Sequence, residues 1–199
     1  MAVATDSKNV HIFGSDNDTL YLGGVDLGAP IKDLAPYAKV PDGLVDCGWL
    51  TDDGAELKMD DSSKEIQGHQ GHGVVGKYVD KSSTTFHADL MEHKLKIALW
   101  NLDGSASAKQ TDPTAPDGAK DYVRVKFKRA RGIIHLCGVW DTYDILHDNV
   151  KFRYIFPGLD LIERSDYKWS PTKAGVFQYS LELTEDPILV TTAPSMLPG

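Results

Sequence analysis

Cysteine is scarce in this chain: Cys47 and Cys137 are the only two, and they form no Cys-x-x-Cys pair. Two such residues cannot build a secreted disulfide framework, and two buried thiols are expected instead. Long apolar runs are also missing. None approaches the roughly 18 residues that would span a membrane. The opening stretch Met1-Ala-Val-Ala-Thr-Asp-Ser-Lys-Asn9 has neither a basic leader nor an apolar core, so no signal peptide is expected. Basic charge is short as well, with 21 Lys and Arg against 29 Asp and Glu and a net charge of −8. That sign argues against a protein that grips nucleic acid through phosphate contacts, though not against one that DNA slides past. There is no P-loop, no G-x-G-x-x-G and no G-x-S-x-G, so nucleotide binding and serine hydrolysis lose their usual signatures.

What remains is a chain of 199 residues, 41% hydrophobic, long enough for one domain with a sizeable core. Strand patterns dominate it. Val10–Phe13 and Thr19–Leu22 flank a turn-rich Gly14-Ser-Asp-Asn-Asp18 and read as a hairpin. A helical turn is expected near Ile31–Ala35. Leu44–Thr51 reads as a strand closed by a tight turn at Asp52-Asp-Gly54 into Ala55–Met59. From Ser82 to Glu92 the sequence alternates: Phe86, Ala88 and Leu90 fall on one face, Thr85, His87 and Asp89 on the other. The period then changes, and Leu95, Leu99 and Leu102 predict a short amphipathic helix over His93–Leu102. Residues 103–121 are polar and read as an exposed loop. Beyond it, Tyr122–Arg131 (Val123, Val125 and Phe127 inward), Ile133–Ile145, Val150–Phe156 and Val176–Thr184 read as strands. In the last of these, Gln178, Ser180, Glu182 and Thr184 oppose Phe177, Tyr179, Leu181 and Leu183.

The expected fold is therefore mainly β, a β-sandwich or partial barrel with one short α-helix and long loops. One domain covers residues 1–199, with arms at 1–9 and 187–199. The second arm is too apolar for a free tail and too Pro-rich for a central strand, so Ile188, Leu189 and Val190 are expected against a neighbouring copy.

Candidate chemistry is thin. His69 and His72 in Gly68-His-Gln-Gly-His-Gly73, followed by His87 and His93, invite a metal reading. They offer no thiolate partner and sit among glycines that hold ligands poorly, so a solvated contact loop is the better reading and no metal or cofactor is assigned. The carboxylate pairs Asp52/Asp53, Asp60/Asp61 and Glu185/Asp186 lie in turn signals, where Asp bonds its own backbone, and no catalytic residue is assigned. Lys126, Lys128, Arg129 and Arg131 form an outward basic strand face suited to ion pairs with an acidic neighbouring copy.

Three blocks carry a resemblance. Val45-Asp-Cys-Gly-Trp-Leu-Thr-Asp-Asp-Gly54 is the first. Ser63-Lys-Glu-Ile-Gln-Gly-His-Gln70 leading to Thr84-Thr-Phe-His-Ala-Asp-Leu-Met-Glu92 and the helix after it is the second. Leu161-Ile-Glu-Arg-Ser-Asp-Tyr-Lys-Trp-Ser170 with Phe177-Gln-Tyr-Ser-Leu-Glu-Leu-Thr184 is the third. In order and spacing they resemble the major tail (tail tube) proteins of long, non-contractile-tailed bacteriophages. Arg164-Ser165-Asp166 departs from that family in lacking its glycine, and residues 103–121 are longer than is usual for it.

The resemblance implies a non-enzymatic virion subunit, assembled in the cytoplasm of a bacterial host. Such subunits form hexameric rings that stack around a tape-measure protein. They also meet tail tip or baseplate and tail terminator proteins, and pass genomic DNA without specific binding. Each would lend about four strands to a barrel of about twenty-four. At about 4.8 Å per strand and a tilt of about 40°, such a barrel closes roughly 48 Å across. Six copies would bring six times −8, or −48 charges, per ring, and acid on the lumen repels phosphate. Either the Thr85, His87, Asp89 set or the Gln178, Ser180, Glu182, Thr184 set could line that lumen. His69, His72 and the basic face are candidate contacts between subunits. A carbohydrate-binding or other binding module on a virion is the competing reading, with Trp49, Trp100, Trp140 and Trp169 to be placed and at least Trp100 and Trp140 expected in the core.

Overall fold

The structure is a computed structural model that describes residues 9–67, 69, 73–147, 150–164 and 167–198. The fold is mainly β, as expected. One eight-stranded sheet holds the core: β1 (Thr19–Gly24), β2 (Val45–Asp46), β3 (Leu50–Gln67), β4 (Val74–Leu90), β9 (Ile134–Tyr143), β10 (Lys151–Glu163), β11 (Phe177–Leu183) and β12 (Ile188–Thr191). The spatial order is β2-β1-β9-β10-β11-β4-β3, and every pairing is antiparallel. β12 shares one edge of β10 with β11. It pairs with Phe152–Ile155, while β11 pairs with Leu159–Glu163, and the register shifts between Phe156 and Leu159, where Pro157 and Gly158 interrupt the ladder.

One side of the sheet buries the main cluster. It takes Leu20 and Leu22 from β1, Leu136 from β9, Phe156, Leu159 and Leu161 from β10, Phe177, Tyr179 and Leu181 from β11, and Phe86, Ala88 and Leu90 from β4, with Leu57 of β3 packed on it. Strands from both ends of the spatial order meet in this cluster, so the sheet curls over its own core as a partial barrel. Alternation in β4 and β11 puts every second side chain into it, as the sequence pattern requires. An eight-residue helix, α2 (Leu95–Leu102), fills the remaining space with Ile97 and Trp100. The Tyr179 hydroxyl donates to the Ile97 carbonyl at 2.5 Å, and the Asn101 amide to the Gln178 carbonyl at 3.0 Å. Asp103 closes α2 in the left-handed conformation and, through its carboxylate, holds Lys128 and the Gly132 N–H.

On the opposite side, β1, β9 and β10 are covered by a 3-10 turn (Val25–Leu27) and by α1 (Gly28–Ile31), which bury Ile31 against Cys137, Val139 and Ile155. A Cβ at Gly28 would overlap the Pro157 carbonyl oxygen, so only glycine allows this approach. The cover is pinned electrostatically. Buried Arg153 donates from Nε and Nη2 to both oxygens of Asp141, each at 2.7 Å, and from Nη1 to the carbonyls of Ala35 and Ala38 at 2.7 and 2.8 Å. Lys151 Nζ reaches the same carboxylate at 2.7 Å. Both cysteines are buried and free. Burial, with Asp26 nearby, pushes the Cys137 thiol up to about 11.

Several expectations are corrected. Among the described residues there are two α-helices, and the helical turn expected near Ile31–Ala35 begins earlier, as α1 at Gly28–Ile31, with the Leu34 N–H then reaching the Ile31 carbonyl. Val10–Phe13 forms no strand, because β1 finds its partners in β2 and β9. Asp52-Asp-Gly54 is no turn. It is a bulge inside β3, with Gly54 at φ +72 and the register shifting between Leu50 and Ala55. Tyr122–Arg131 is not one inward-facing strand: β7 (Lys120–Tyr122) pairs with β6 (Gln110–Asp112), β8 (Val125–Phe127) pairs with β5 (Gly104–Ala106), and Val123 and Phe127 are exposed. Ile188, Leu189 and Val190 pair with Ile155, Tyr154 and Arg153 of their own β10, which makes this part of the arm a strand, and Leu189 stays exposed.

Candidate assembly surface

Register brings together residues that the sequence left apart. β4 and β11 are adjacent, so Gln178 faces Asp89, Ser180 faces His87 and Glu182 faces Thr85. The two alternative polar sets are one surface. The Gln178 amide donates to the Asp89 carboxylate at 2.9 Å, and the Ser180 hydroxyl lies 2.9 Å from His87 Nδ1. The surface extends in both directions. Lys58 and Glu56 of β3 lie opposite Thr85 and His87, while Asp160 of β10 lies opposite both Glu182 and His135 of β9. One row therefore crosses five strands: His135, Asp160, Glu182, Thr85, Lys58. His135 Nδ1 is 2.6 Å from the Asp160 carboxylate. Thr184 falls just past β11, where its N–H donates to the Gly158 carbonyl, and it is exposed. On this face Glu56, Asp60, Asp89, Asp160, Glu163 and Glu182 outnumber the amines of Lys58 and, further along the hairpin, Lys81, and Lys58 is itself paired with Asp60 at 2.8 Å. Hydrogen bonding to Asp60, helped by its charge, raises the Lys58 amine above its usual value.

The second feature is a ribbon. Among the described residues β4 pairs with β11 only over Thr85–Leu90, so from Asp60 to Gln67 and from Val74 to Ser83 the hairpin of β3 and β4 meets no third described strand. Its polar groups tie the two strands together through Lys64–Asp80 at 2.8 Å and Lys77–Glu65 at 2.6 Å. Its apolar groups face water: Val75 is 71% exposed, Val79 62%, Ile66 51% and Tyr78 49%. Ile66 and Tyr78 fall on one face of the ribbon, Val75 and Val79 on the other. Isolated two-stranded ribbons are marginal in water, and a long flat edge with apolar side chains invites pairing with another chain. Among the described residues, the outer edge of β3 pairs with no strand.

The third feature is an open-mouthed cavity of about 850 Å³ where the two ends of the curled sheet approach each other. Phe86, Trp140, Tyr154 and Phe156 line it with Trp49, and Asp16, Asp18, Asp46, Asp52, Asp53 and Glu92 ring it with carboxylates. Burial raises the Asp18 carboxyl, against hydrogen bonds from the Thr142 hydroxyl and the Tyr143 N–H. Trp100 is in the core and Trp140 is half-buried, whereas Trp49 and Trp169 are exposed.

The remaining sequence candidates are scattered. His69 is exposed, and His72 lies outside the described residues. Lys126, Lys128, Arg129 and Arg131 are exposed, and Lys128 pairs with Asp103 of its own chain at 2.9 Å. Comparison with protein-family models finds no match, and comparison with curated proteins finds none either.

Proposed function

We propose that this chain is a self-assembling structural subunit, the tail tube protein of a long, non-contractile-tailed bacteriophage. In this reading it is not an enzyme, and its copies close into stacked rings around a bore through which the genome passes. The observation that carries the reading is the two-stranded ribbon of β3 and β4, with unpaired edges and apolar side chains on both faces. Such an element gains stability only when another surface covers it, and a second copy of the chain supplies both a sheet edge to pair with and apolar side chains to bury. The acidic face that crosses β9, β10, β11, β4 and β3 is the natural lining of the bore. Its carboxylates repel DNA phosphates, so the duplex slides without sticking. The tape-measure protein inside the growing tube, and the tip and terminator proteins at its ends, are the further partners this reading assigns. The virion is its location.

The cavity favours a second reading, a carbohydrate-binding module on a virion, because Trp49 and Trp140 line an open mouth rimmed by carboxylates. One experiment separates the two. Purified protein is followed by light scattering over a concentration series and viewed by negative-stain microscopy. Rings or tubes about 100 Å or less across support the subunit, since a twenty-four-strand barrel is roughly 48 Å wide at the backbone before the outer layers are added. A monomer whose Trp49 fluorescence responds to a glycan, and which forms no rings, overturns it.

A further inference from the structure

His69 and His72 lack a thiolate partner and sit among glycines, so the glycine-histidine loop has no claim to a metal. The fold, however, brings three other ligand groups together. His11 comes from the segment before β1, while Asp144 and His147 come from the turn after β9. Their ligand atoms all lie within 4.8 Å of one another. His11 Nδ1 is 2.7 Å and His147 Nδ1 is 2.5 Å from the same oxygen, Asp144 Oδ2.

The geometry points to a site for a borderline divalent cation of the zinc type, held by His11, Asp144 and His147, that ties the chain's two terminal segments to the sheet. Two imidazoles and one carboxylate are a zinc-type donor set, and calcium or magnesium would require oxygens in their place. Zinc–nitrogen and zinc–oxygen bonds of about 2.0–2.2 Å in a tetrahedron separate neighbouring ligand atoms by about 3.3 Å. Entry of the ion therefore needs the carboxylate oxygen and the two rings to part by less than about 1 Å, and each ring must release the Nδ1 proton that bonds Asp144, to solvent or by moving it to Nε2.

The surroundings hold the donors in place. The other carboxylate oxygen, Asp144 Oδ1, accepts the N–H of Ile12 at 3.2 Å and of Leu146 at 2.9 Å, which turns Oδ2 toward both rings. Outer hydrogen bonds of this kind orient metal ligands. His11 Nε2 lies 3.3 Å from the Ser195 hydroxyl, and its ring stands edge-on to Phe152 at 5.0 Å. The His147 side chain is 31% exposed, which leaves the ion a path from solvent. Because His11 also touches Ser195 in the closing 3-10 turn (Pro194–Met196), one ion would lock the start and the end of the described chain to the turn after β9.

The test uses untagged, full-length protein stripped with a chelator and titrated with zinc chloride by calorimetry. The expected result is one zinc per chain and a higher melting temperature. His147→Ala and His11→Ala are each expected to weaken binding at least about tenfold, whereas His135→Ala leaves it unchanged. Should either alanine variant fail to fold, cobalt added to the wild-type protein gives a second reading. Strong visible bands of four-coordinate cobalt, lost on adding zinc, support the site. No binding of either ion overturns the proposal, and so does binding that survives both alanine variants. Zinc lost instead from His69→Ala/His72→Ala would assign the ion to the glycine-histidine loop and overturn it as well.

Discussion

Charge placed on the β3–β4 ribbon should abolish assembly and leave the monomer folded. Val75 and Val79 are the sharpest choice, because they share one face of the ribbon and are 71% and 62% exposed. Full burial of a valine is worth about 1.5–3 kcal/mol. The exposed fractions of these two leave roughly 2.5 kcal/mol per copy to be gained when a neighbour covers them. Removing that gain raises the concentration needed for assembly on the order of 50-fold, at about 1.4 kcal/mol per tenfold. Aspartate at both positions raises it further, because a carboxylate would have to be desolvated in the contact. The monomer itself should melt within about 3 °C of wild type, since neither side chain touches the core. The measurement is the critical concentration for scattering, with sedimentation velocity confirming that the variant stays monomeric. Polymerisation of Val75→Asp/Val79→Asp at the wild-type threshold would refute the role given to the ribbon.

Other consequences concern the scaffold that carries these surfaces. Asp141→Asn should destabilise the chain by about 3–5 kcal/mol in denaturant titrations, because Arg153 and Lys151 stay buried without their shared carboxylate. Gly28→Ala should cost about 2 kcal/mol and lower the melting temperature by roughly 4–8 °C, since the new methyl meets the Pro157 carbonyl and the helix preference of alanine does not offset the overlap. The Asp144 carboxyl is held below its ordinary 3.8 in the folded chain, so the unfolded chain binds the proton more readily. Its contribution is fully present above about 3.8 and is lost as pH falls further toward the folded value. Asp144→Asn should be less stable at pH 7 and should show a shallower loss of stability in acid than wild type. An unchanged acid slope would contradict the assignment. Asp18, raised by burial, works in the opposite direction and remains in both proteins.

The elements legible in the sequence are those whose signal is local. Alternation in Phe86–Leu90 and Phe177–Leu181, and the change of period at Leu95, fix two core strands and the presence of α2, but not its inward face: the helix buries Ile97 and Trp100, while Leu95 of the expected Leu95, Leu99 and Leu102 stripe is exposed. Asp52-Asp-Gly54 was misleading because the same residues that favour a tight turn also favour a bulge. The alternating partner strand from Val74 to Leu90, too long for a five-residue strand to match, keeps β3 running straight through it. Val10–Phe13 has strand-like residues but no free edge to join, because β2 and β9 occupy both sides of β1. Pairing between remote strands has no local signature. The meeting of His87 with Ser180, and of Asp141 with Arg153, depends on register set by the whole sheet. His11, Asp144 and His147 escaped notice for the same reason, since the spacing of His11 from the other two carries no motif. Burial of Asp144 beside Tyr143 at the end of an apolar strand was the one clue on offer.

The most direct measurement of the central idea is an electron cryomicroscopy map of whatever polymer the purified chain forms. The expected map is a hollow tube whose wall is one continuous sheet, with the edge of β3 hydrogen-bonded to a strand of the adjoining copy and Asp89, Glu182 and Asp160 facing the bore. A polymer with that acidic face turned outward, or one in which β3 meets no strand of another copy, would contradict it.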